Sequence, residues 1–426
     1  MRKNLGAAVR LKEMQRLPSF VLGFFLAGSS VAWPDTVLVL PFFNESKARS
    51  IDWIGESIAE TIRESLASHN LLVLSRNDRI EAYRRLSIRP GAILTHASII
   101  KLGEALDASQ VIYGHYEISP VHLPASADSA APGPTAETPA TGVSSRDSLH
   151  ITSRVLDLKH THQGPELEEI GALEDLNALE THLTWRCLQL LAPKTTPSEA
   201  EFRRDRPPLR LDAVENYIRG LMASSPEQKH RYFTQAARLD ARFSEAYFQL
   251  GKMAYEKKDY NVATGWLEKV SRADSHYFEA IFLLGLCRYY GADFSGAEKS
   301  FQTVSASLPL SEVINDMGAA QSRLHSPAAL DTFRRALDGD STDPDYHFNV
   351  GYALWRQGDF VRAAESFRAL LDRAPNDAEA VLFLGRCLKK DGSRAGDPTS
   401  EGRERLKLNF EETAYRQLKA ELESKQ

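Results

Sequence analysis

The stretch GYALWRQGDFVRAAESFRALLDRAPND, residues 351–377, predicts two short helices joined by a tight turn. Apolar side chains recur every three or four residues before and after Gln357-Gly358-Asp359, a spacing that gives each helix one buried face. These apolar residues are Ala353, Leu354, Ala363, Ala364, Phe367 and Leu370. Gly351 has no Cβ and lets the partner helix come close, Phe367 is expected to fill the space between the helices, and Pro375 ends the second helix. The stretch is therefore predicted to be a helical hairpin.

The hairpin pattern recurs along the chain, as it must if each hairpin is to bury its apolar face against a neighbour. Its glycine stands at Gly251, Gly285, Gly318, Gly351 and Gly385, and subtraction gives steps of 34, 33, 33 and 34 residues. An alanine and then a phenylalanine follow at fixed distances, and in the fourth unit the turn is one residue shorter. These residues are Ala263, Ala297, Ala363, Phe301 and Phe367, with Ala329 and Phe333 in the fourth unit.

This pattern resembles the tetratricopeptide repeat (TPR), and the resemblance covers roughly residues 211–388. The segments LGKMAYEKKDYNVATGWLEKV, LGLCRYYGADFSGAEKSFQTV and VGYALWRQGDFVRAAESFRAL carry it most closely, whereas the first unit, residues 211–241, is degenerate. The resemblance implies an all-α TPR solenoid of about five to six helical hairpin repeats over residues 211–390. It also implies a curved stack whose concave side is lined by the first helix of each unit.

Positions six and three before each repeat glycine, and one and four after it, fall on one face of the first helix. We predict that the aromatic residues at these positions bind a partner in the groove: Phe248, Tyr255, Phe282, Tyr289, Phe348, Tyr352 and Trp355. Glu245, Glu279 and Asp345 add an acidic rim, which suits an extended peptide or a helix with apolar anchors and some positive charge. The alternative is that these aromatic residues pack between adjacent repeats.

The C-terminal stretch ERLKLNFEETAYRQLKAELESK places apolar residues four apart at Leu406, Phe410, Ala414, Leu418 and Leu422. A solenoid must cover the apolar face of its last repeat. The spacing therefore predicts a C-terminal capping helix over residues 400–424. A helix that docks on a partner is the alternative.

The N-terminus has the composition of a secretory signal peptide. Five basic residues precede an apolar run over residues 20–27, and Ser30-Val31-Ala32 supplies small residues for cleavage after Ala32. We therefore expect an exported, periplasmic protein. The alternatives are an uncleaved anchor, a start at Met14, or a cytoplasmic regulator if the apolar run is misread. The first cysteine is Cys187, which excludes a lipid-modified cysteine at the cleavage point.

Residues 36–192 predict an α/β sandwich domain, because strand-like and helix-like segments alternate. TVLVLPFF, LLVLS and QVIYGHYEI read as strands, and helices are predicted in IDWIGESIAETIRESLASH and at residues 77–86 and 97–106. Residues 119–147 contain five prolines and no aromatic residue, which predicts a disordered insertion between strands. A strand at SLHITSRVLDL, a second at PELEEIGAL and an amphipathic helix follow, and residues 193–210 are predicted to be a linker.

This region resembles the TolB-like N-terminal domain, which is related in pattern to FlgO-type and CsgG-type envelope domains. The resemblance lies in VLVLPFFNES (37–46), WIGESIAETIRESL (53–66), LLVLSR (71–76) and KLGEALDASQVIYGHYEI (101–118). It implies a non-catalytic domain of exported bacterial proteins, often fused to tetratricopeptide repeats. The insertion at 119–147 departs from the compact pattern and leaves the strand order after Asp147 open.

Composition and motifs argue against several functions. The chain has 426 residues, a formal charge of −5 and a pI near 6.2, so it offers no basic field for nucleic acid. Cys187, Cys287 and Cys387 are too widely spaced for a disulfide framework or a metal site and predict buried thiols. His160 and His162, or His115 and Glu117, share a strand face but lack a third ligand at a recognisable spacing. No enzyme activity, cofactor or metal is predicted.

Two functional hypotheses follow. In the first, the chain is an exported, non-enzymatic scaffold of the cell envelope whose groove holds a protein partner. Its α/β domain would then dock to a second envelope component or assemble with copies of itself. In the second, the α/β domain holds a small molecule and the repeats are the output module of a sensor. A convergent set of polar groups in the α/β domain would favour the second, and the sequence shows none.

Overall fold

The computed structural model describes residues 36–120, 144, 146–412 and 415, with the exception of residues 47, 70, 90, 395 and 398. The predicted signal peptide (1–32), residues 121–143 and 145 of the predicted insertion, and residues 413, 414 and 416–424 of the predicted capping helix lie outside the described residues. Within the described part, a mixed β-sheet with helices is followed by a series of helical hairpins.

The N-terminal region is built around a seven-stranded mixed sheet. Its strands are β1 (Thr36–Val39), β2 (Phe43–Asn44), β3 (Leu72–Val73), β4 (Gln110–Ser119), β5 (Ser148–Asp157), β6 (His162–Gln163) and β7 (Leu167–Ala172). Its helices are α1 (Trp53–Ser68), α2 (Arg76–Arg85), α3 (His96–Glu104) and α4 (Leu176–Leu191), with short 3-10 helices at Arg49–Ile51 and Leu173–Asp175. The strand order is β3-β1-β4-β5-β6, with β2 beside β4 and β7 beside β5.

The strand pairing answers the question that the sequence left open after Asp147. Strand β1 is parallel to β3 and β4, whereas β5 is antiparallel to β4, β6 and β7. β4 and β5, which flank the insertion, pair along their whole length from Gln110 opposite Asp157 to Ser119 opposite Ser148. The two strands on either side of the insertion are therefore direct neighbours.

Alternate residues of β1, together with Leu40, which follows it, belong to different cores, as expected for a strand buried on both faces. Val37 and Val39 belong to the same apolar cluster as Ile58 of α1. Leu38 and Leu40 belong to a second cluster, which includes Ala82 of α2 and Leu102 of α3. Helix α1 lies so close to the chain after β1 that a Cβ on Gly55 would stand 2.0 Å from the carbonyl oxygen of Phe42.

Glu180 is a buried carboxyl between two helices of the sheet region. It lies on α4, is 1% exposed, and accepts a hydrogen bond of 3.1 Å from Thr61 on α1. Burial raises the pKa of Glu180 from its ordinary 4.5 to about 7, although the hydroxyls of Ser57 and Thr61 oppose the shift. The folded protein therefore keeps a proton that the unfolded chain loses. Stability contributed by this group is full below pH 4.5 and is lost as the pH rises through about 7.

We expect Glu180→Gln to stabilise the protein at alkaline pH. The charge costs up to about 3 kcal/mol, and because the amide must also find partners, we expect a gain of about 2 kcal/mol near pH 8 and little change near pH 5. Urea unfolding at both pH values measures the difference. Glu117→Gln, at an exposed position of β4, is the matched control and should change neither value. Equal effects of Glu180→Gln at both pH values would contradict the assignment.

The second half of the described chain consists of antiparallel helix pairs. The pairs are α6 (Leu211–Met222) with α7 (Pro226–Leu239), α8 (Ser244–Glu256) with α9 (Tyr260–Leu267), α10 (Tyr277–Tyr290) with α11 (Phe294–Ser305), α12 (Ser311–Arg323) with α13 (Ala329–Gly339), and α14 (Pro344–Arg356) with α15 (Phe360–Arg373). The helix after them, labelled α16, spans Ala378–Lys389. The predicted linker contains one more helix, Glu199–Arg204, here called α5, whose Phe202 is buried.

Four of the five repeat glycines make the close helix contacts that the sequence predicts, whereas a Cβ on Gly385 would meet nothing within 4 Å among the described residues. A Cβ on Gly285 would lie 2.6 Å from the ring of Phe301, and one on Gly318 would lie 2.8 Å from the ring of Phe333. The seventh residue after each of four repeat glycines has a positive φ between 55° and 80°: Lys258, Ala292, His325 and Gly358. The turn thus reverses the chain in the same way in four units, although only one of the four residues is glycine.

The prediction of a capping helix is wrong over residues 400–411, which have no helical structure. Instead, these residues form an extended stretch that we call the C-terminal segment. Its backbone groups bond to side chains of the repeats, as described below, and Gly402 has a positive φ of 68° that a helix would not allow. At the end of the segment, the backbone N–H of Tyr415 donates to the carbonyl oxygen of Glu411 (3.1 Å), as in a helical turn.

Two further sequence features can be located in the fold. Cys187, Cys287 and Cys387 are buried free thiols. Among the described residues, the helices are too short or too polar to span a bilayer.

Candidate functional site

The seven predicted groove residues lie on the first helices of three repeats, α8, α10 and α14. Six are buried, and Tyr255 is half-buried. Phe248 stacks on His276 with ring centroids 4.4 Å apart, and Tyr255 lies beside Tyr260. At these two positions the described contacts are those of packing between helices, which was the alternative interpretation.

The other five predicted residues contact chain that follows the last helix. Phe282 packs edge-on against Phe410 at 5.0 Å, and the Tyr352 hydroxyl donates to the carbonyl oxygen of Ser400 (2.9 Å). The Trp355 indole donates to the carbonyl oxygen of Asp391 (2.8 Å), just before the segment. Tyr289 and Phe348 contact Glu404 and Arg405 of the C-terminal segment. The face formed by the first helices α10 and α14 is therefore occupied by the chain's own C-terminal segment.

The backbone of the segment is held by three polar side chains. Asn349 accepts a hydrogen bond from the N–H of Arg405 (2.8 Å) and donates to the carbonyl oxygen of the same residue (2.7 Å). Asn315 donates to that oxygen as well (2.8 Å), and Asp316 accepts from the N–H of Lys407 (2.8 Å). Bonds to N–H and C=O groups depend on an extended backbone and not on the identity of its side chains.

Asn315 and Asp316 are themselves fully buried, and Asn349 is too. Asn349 also donates to the side-chain oxygen of Asn315 (2.7 Å), so the two amides form one network across neighbouring repeats. Burial raises the pKa of Asp316 well above its usual range, although the hydrogen bond from Lys407 opposes the shift. Buried polar groups of this kind need a partner, and the segment supplies one to both amides and to one oxygen of Asp316, whereas the other Asp316 oxygen has none among the described residues.

Arg405 enters a site that we call the arginine pocket, formed by Phe348, Asp345, Asp377 and Glu379. Its guanidinium carbon lies 3.8 Å from the centroid of the Phe348 ring. Asp377 accepts two hydrogen bonds from it (2.8 and 2.9 Å), and Asp345 and Glu379 accept one each (3.2 Å). The guanidinium thus lies on one aromatic ring and donates hydrogen bonds to three carboxylates.

The charges in the arginine pocket shift one another. The hydrogen bonds from Arg405 lower the pKa of Asp377. Burial would lower the pKa of Arg405, but Asp377 and Asp345 outweigh it and raise the pKa. Two residues later, the Lys407 ammonium lies 2.7 Å from carboxylate oxygens of Asp343 and Asp345. The acidic rim predicted at Asp345 therefore meets two cations of the segment.

Glu404 points to the opposite side of the segment and is also buried. Its carboxylate accepts from the hydroxyls of Ser322 (2.6 Å) and Tyr289 (3.4 Å), and the guanidinium of Arg356 lies 3.6 Å away. Burial, and then the charge of Glu404, raise the pKa of Tyr289 above its usual range. The same two causes raise the pKa of Tyr352 to about 12.

The far end of the segment lies beside a cavity of about 290 Å³. Phe282 and Glu279 of α10 line one side, and Leu408 and Phe410 of the segment line the other. Glu279 accepts a hydrogen bond from Lys252 (2.8 Å) on the preceding repeat. Burial would raise the pKa of Glu279, but the hydrogen bonds and charges of His276 and Lys252 outweigh it and lower the pKa to about 2. An apolar anchor, Phe410, thus lies beside an acidic group.

The three residues that hold the segment's backbone were not predicted from the sequence. The spacing that selected the groove aromatic residues, when applied to Gly318, selects Asn315 and Ser322, so these two could have been predicted. Asn349 and Asp316 stand two residues before a repeat glycine, a position that this spacing did not include. The histidine pairs show no site: His160 bonds to Asp157 (2.8 Å), and His115 lies 3.9 Å from Glu45. Among the described residues, three or more His, Cys, Asp or Glu side chains never converge as a metal site would require.

A tetratricopeptide-repeat family model matches residues 319–378 and 348–393 of the chain. The prediction of tetratricopeptide repeats is therefore confirmed for this part of the molecule. The TolB-like resemblance of the sheet region stays a prediction. A search of curated proteins found no match.

Several solved structures resemble part of the chain. YrrB, described as a TPR protein with an unusual peptide-binding site, is 18% identical, covers 45% of this chain and 91% of its own, and has a TM-score of 0.33. MamA from Desulfovibrio magneticus RS-1 is 23% identical over 39% of this chain and 95% of its own, with a TM-score of 0.35. PilF of Pseudomonas aeruginosa is 18% identical over 39% and 77%, with a TM-score of 0.34.

Proposed function

We propose that this protein is a non-enzymatic interaction scaffold whose repeat groove binds a protein partner as an extended peptide. One observation carries the proposal: the groove already holds an extended segment through Asn315, Asn349 and Asp316, which bond to its backbone. Because these bonds do not depend on the identity of the segment's side chains, they would hold another extended chain in the same way. Phe282, Phe348 and the acidic side chains would then select among peptides.

A photo-crosslinking experiment tests the scaffold. A photoreactive phenylalanine analogue replaces Tyr255, a half-buried predicted groove residue that has no described contact with the C-terminal segment. The matched control carries the analogue at Val361, which is 70% exposed and lies on the second helix of a repeat. We expect a defined protein crosslinked through position 255 in the producing cells and not through position 361.

The crosslinking result can also contradict the proposal. If position 255 yields no protein beyond those captured at position 361, while circular dichroism shows both variants folded, the concave face is not a partner site.

We also propose that the chain is exported and that its sheet region is a TolB-like envelope domain, on the sequence features described above. Determination of the N-terminus of the protein isolated from cells tests export. A start at Trp33 is the expected result, and an intact Met1 or Met14 would point to a retained anchor or a cytoplasmic protein.

A further inference from the structure

We propose that the arginine pocket sets the specificity of the groove, and that the partner is an extended peptide with arginine there and a second cation two residues later. Such a peptide must displace the C-terminal segment, which fills the same site. This inference rests on the proposed function, because it names the chemistry of the partner that the groove would take.

The pocket is built for arginine more than for lysine. Asp377 receives two of the guanidinium N–H groups, and Asp345 and Glu379 each receive another hydrogen bond, so the planar group is bound on several edges at once. The ring of Phe348 lies against its face at 3.8 Å. A lysine ammonium is a single point charge that cannot make the paired contact with Asp377 or stack flat on the ring.

The spacing of the two cations follows from the extended backbone. Asn349 and Asp316 bond to the backbone of residues 405 and 407, and in an extended chain the side chains of alternate residues point to the same side. Arg405 and Lys407 both reach Asp345, whereas Glu404 contacts Ser322 on the other side. A peptide with basic residues two apart would therefore satisfy the same acidic groups.

The C-terminal segment competes with such a peptide because it uses the same bonds and is tethered to the repeats. A short tether gives a local concentration of roughly millimolar. The contacts of Arg405 and Lys407 are partly exposed, with side chains 20% and 18% accessible, so they can exchange with solvent and with another peptide. The free protein is thus expected to bind an external peptide weakly and to bind it well once its own segment is weakened.

The test uses the full chain and a fluorescent synthetic peptide of residues 399–412, TSEGRERLKLNFEE, with binding followed by anisotropy. In the chain, Arg405→Ala empties the arginine pocket. Arg394→Ala is the matched control, because Arg394 lies in the loop before the segment and its side chain is 78% exposed. We expect Arg405→Ala to bind the peptide at least about tenfold more tightly than the wild type, and Arg394→Ala to match the wild type.

Two further variants test the pocket itself. Adding Asp377→Asn to Arg405→Ala keeps an N-cap side chain on α16 but removes a charge, and we expect peptide binding to fall about tenfold. A peptide with lysine in place of its arginine at position 405 should also bind about tenfold more weakly. If Arg405→Ala fails to fold by circular dichroism, Arg405→Lys replaces it, since that variant keeps the positive charge.

Each outcome decides between the two proposals. Equal binding to the wild type and to Arg405→Ala would overturn the competition, and equal binding of the lysine peptide would overturn the arginine specificity. Absence of binding to every folded variant would overturn this inference as a whole. In all three cases, a partner crosslinked at position 255 would still support the proposed scaffold function. Absence of that crosslink would contradict the scaffold function itself.

Discussion

Asn349→Ala is expected to free the C-terminal segment from the groove. The Asn349 amide is fully buried and makes three hydrogen bonds, two to the backbone of Arg405 and one to Asn315. Alanine removes all three and leaves the Arg405 N–H without its acceptor. We expect a loss of roughly 3 kcal/mol in the free energy that holds the segment, since each lost bond contributes about 1 kcal/mol and an unpaired buried group costs more.

Hydrogen exchange measures this release directly. The amide of Arg405 should exchange about 100-fold faster in Asn349→Ala, because about 1.4 kcal/mol corresponds to a factor of ten in an opening equilibrium. Asn216→Ala is the matched control: Asn216 also lies on the first helix of a repeat, but its amide donates to Asp212 of its own helix. Unchanged exchange at Arg405 in Asn349→Ala would show that Asn349 does not hold the segment.

Trp355→Ala is expected to destabilise the repeats by roughly 3–5 kcal/mol, the range for a large aromatic side chain removed from a core. The Trp355 side chain is fully buried, lies edge-on to Phe383 at 4.9 Å, and stacks beside Tyr352. Trp355→Phe should cost only about 1–2 kcal/mol, chiefly because the Asp391 carbonyl loses its donor. Urea unfolding of both variants measures the ordering, and Val361→Ala, at an exposed position, should be close to neutral.

The burial of the groove aromatic residues means that their alanine variants cannot separate binding from stability. An alanine variant at Phe348, Tyr352 or Trp355 would lose stability and binding together, so loss of a partner would not identify a contact. Tyr352→Phe removes one hydroxyl, which donates to Ser400, and leaves the ring in place. If Trp355→Ala unfolded at the same urea concentration as the wild type, the burial of this residue would contribute less than the structure implies.

The hairpins could be predicted from the sequence because their signals are local. Gly285 and Phe301 are sixteen residues apart and belong to one hairpin, so the spacing alone places the ring against the glycine. The helices predicted at 77–86 and 97–106 are likewise found within two residues, as α2 and α3. The pairing of β4 with β5 could not be predicted, since an insertion separates them.

The C-terminal segment shows where local spacing fails. Leu406 and Phe410 are four apart and fit a helix, but the N–H of Lys407 bonds to Asp316, 91 residues earlier. The segment takes the extended form because side chains on two repeats form hydrogen bonds with its backbone N–H and C=O groups. The sequence of the segment itself gives no sign of these distant side chains. Five of the seven predicted groove residues contact chain that follows the last helix, whereas the polar residues between them hold the backbone of the segment.

The full-length pairing of β4 with β5 also affects how the chain can change in length. Ser119 and Ser148 stand opposite each other at one end of the ladder, so the strand ends are neighbours whatever chain connects them. The entropy of closing a loop grows slowly with its length, and each doubling adds only about 0.6 kcal/mol. Residues 121–143 therefore mark a position at which a reporter domain whose own termini are adjacent can be grafted while the register of the sheet is kept.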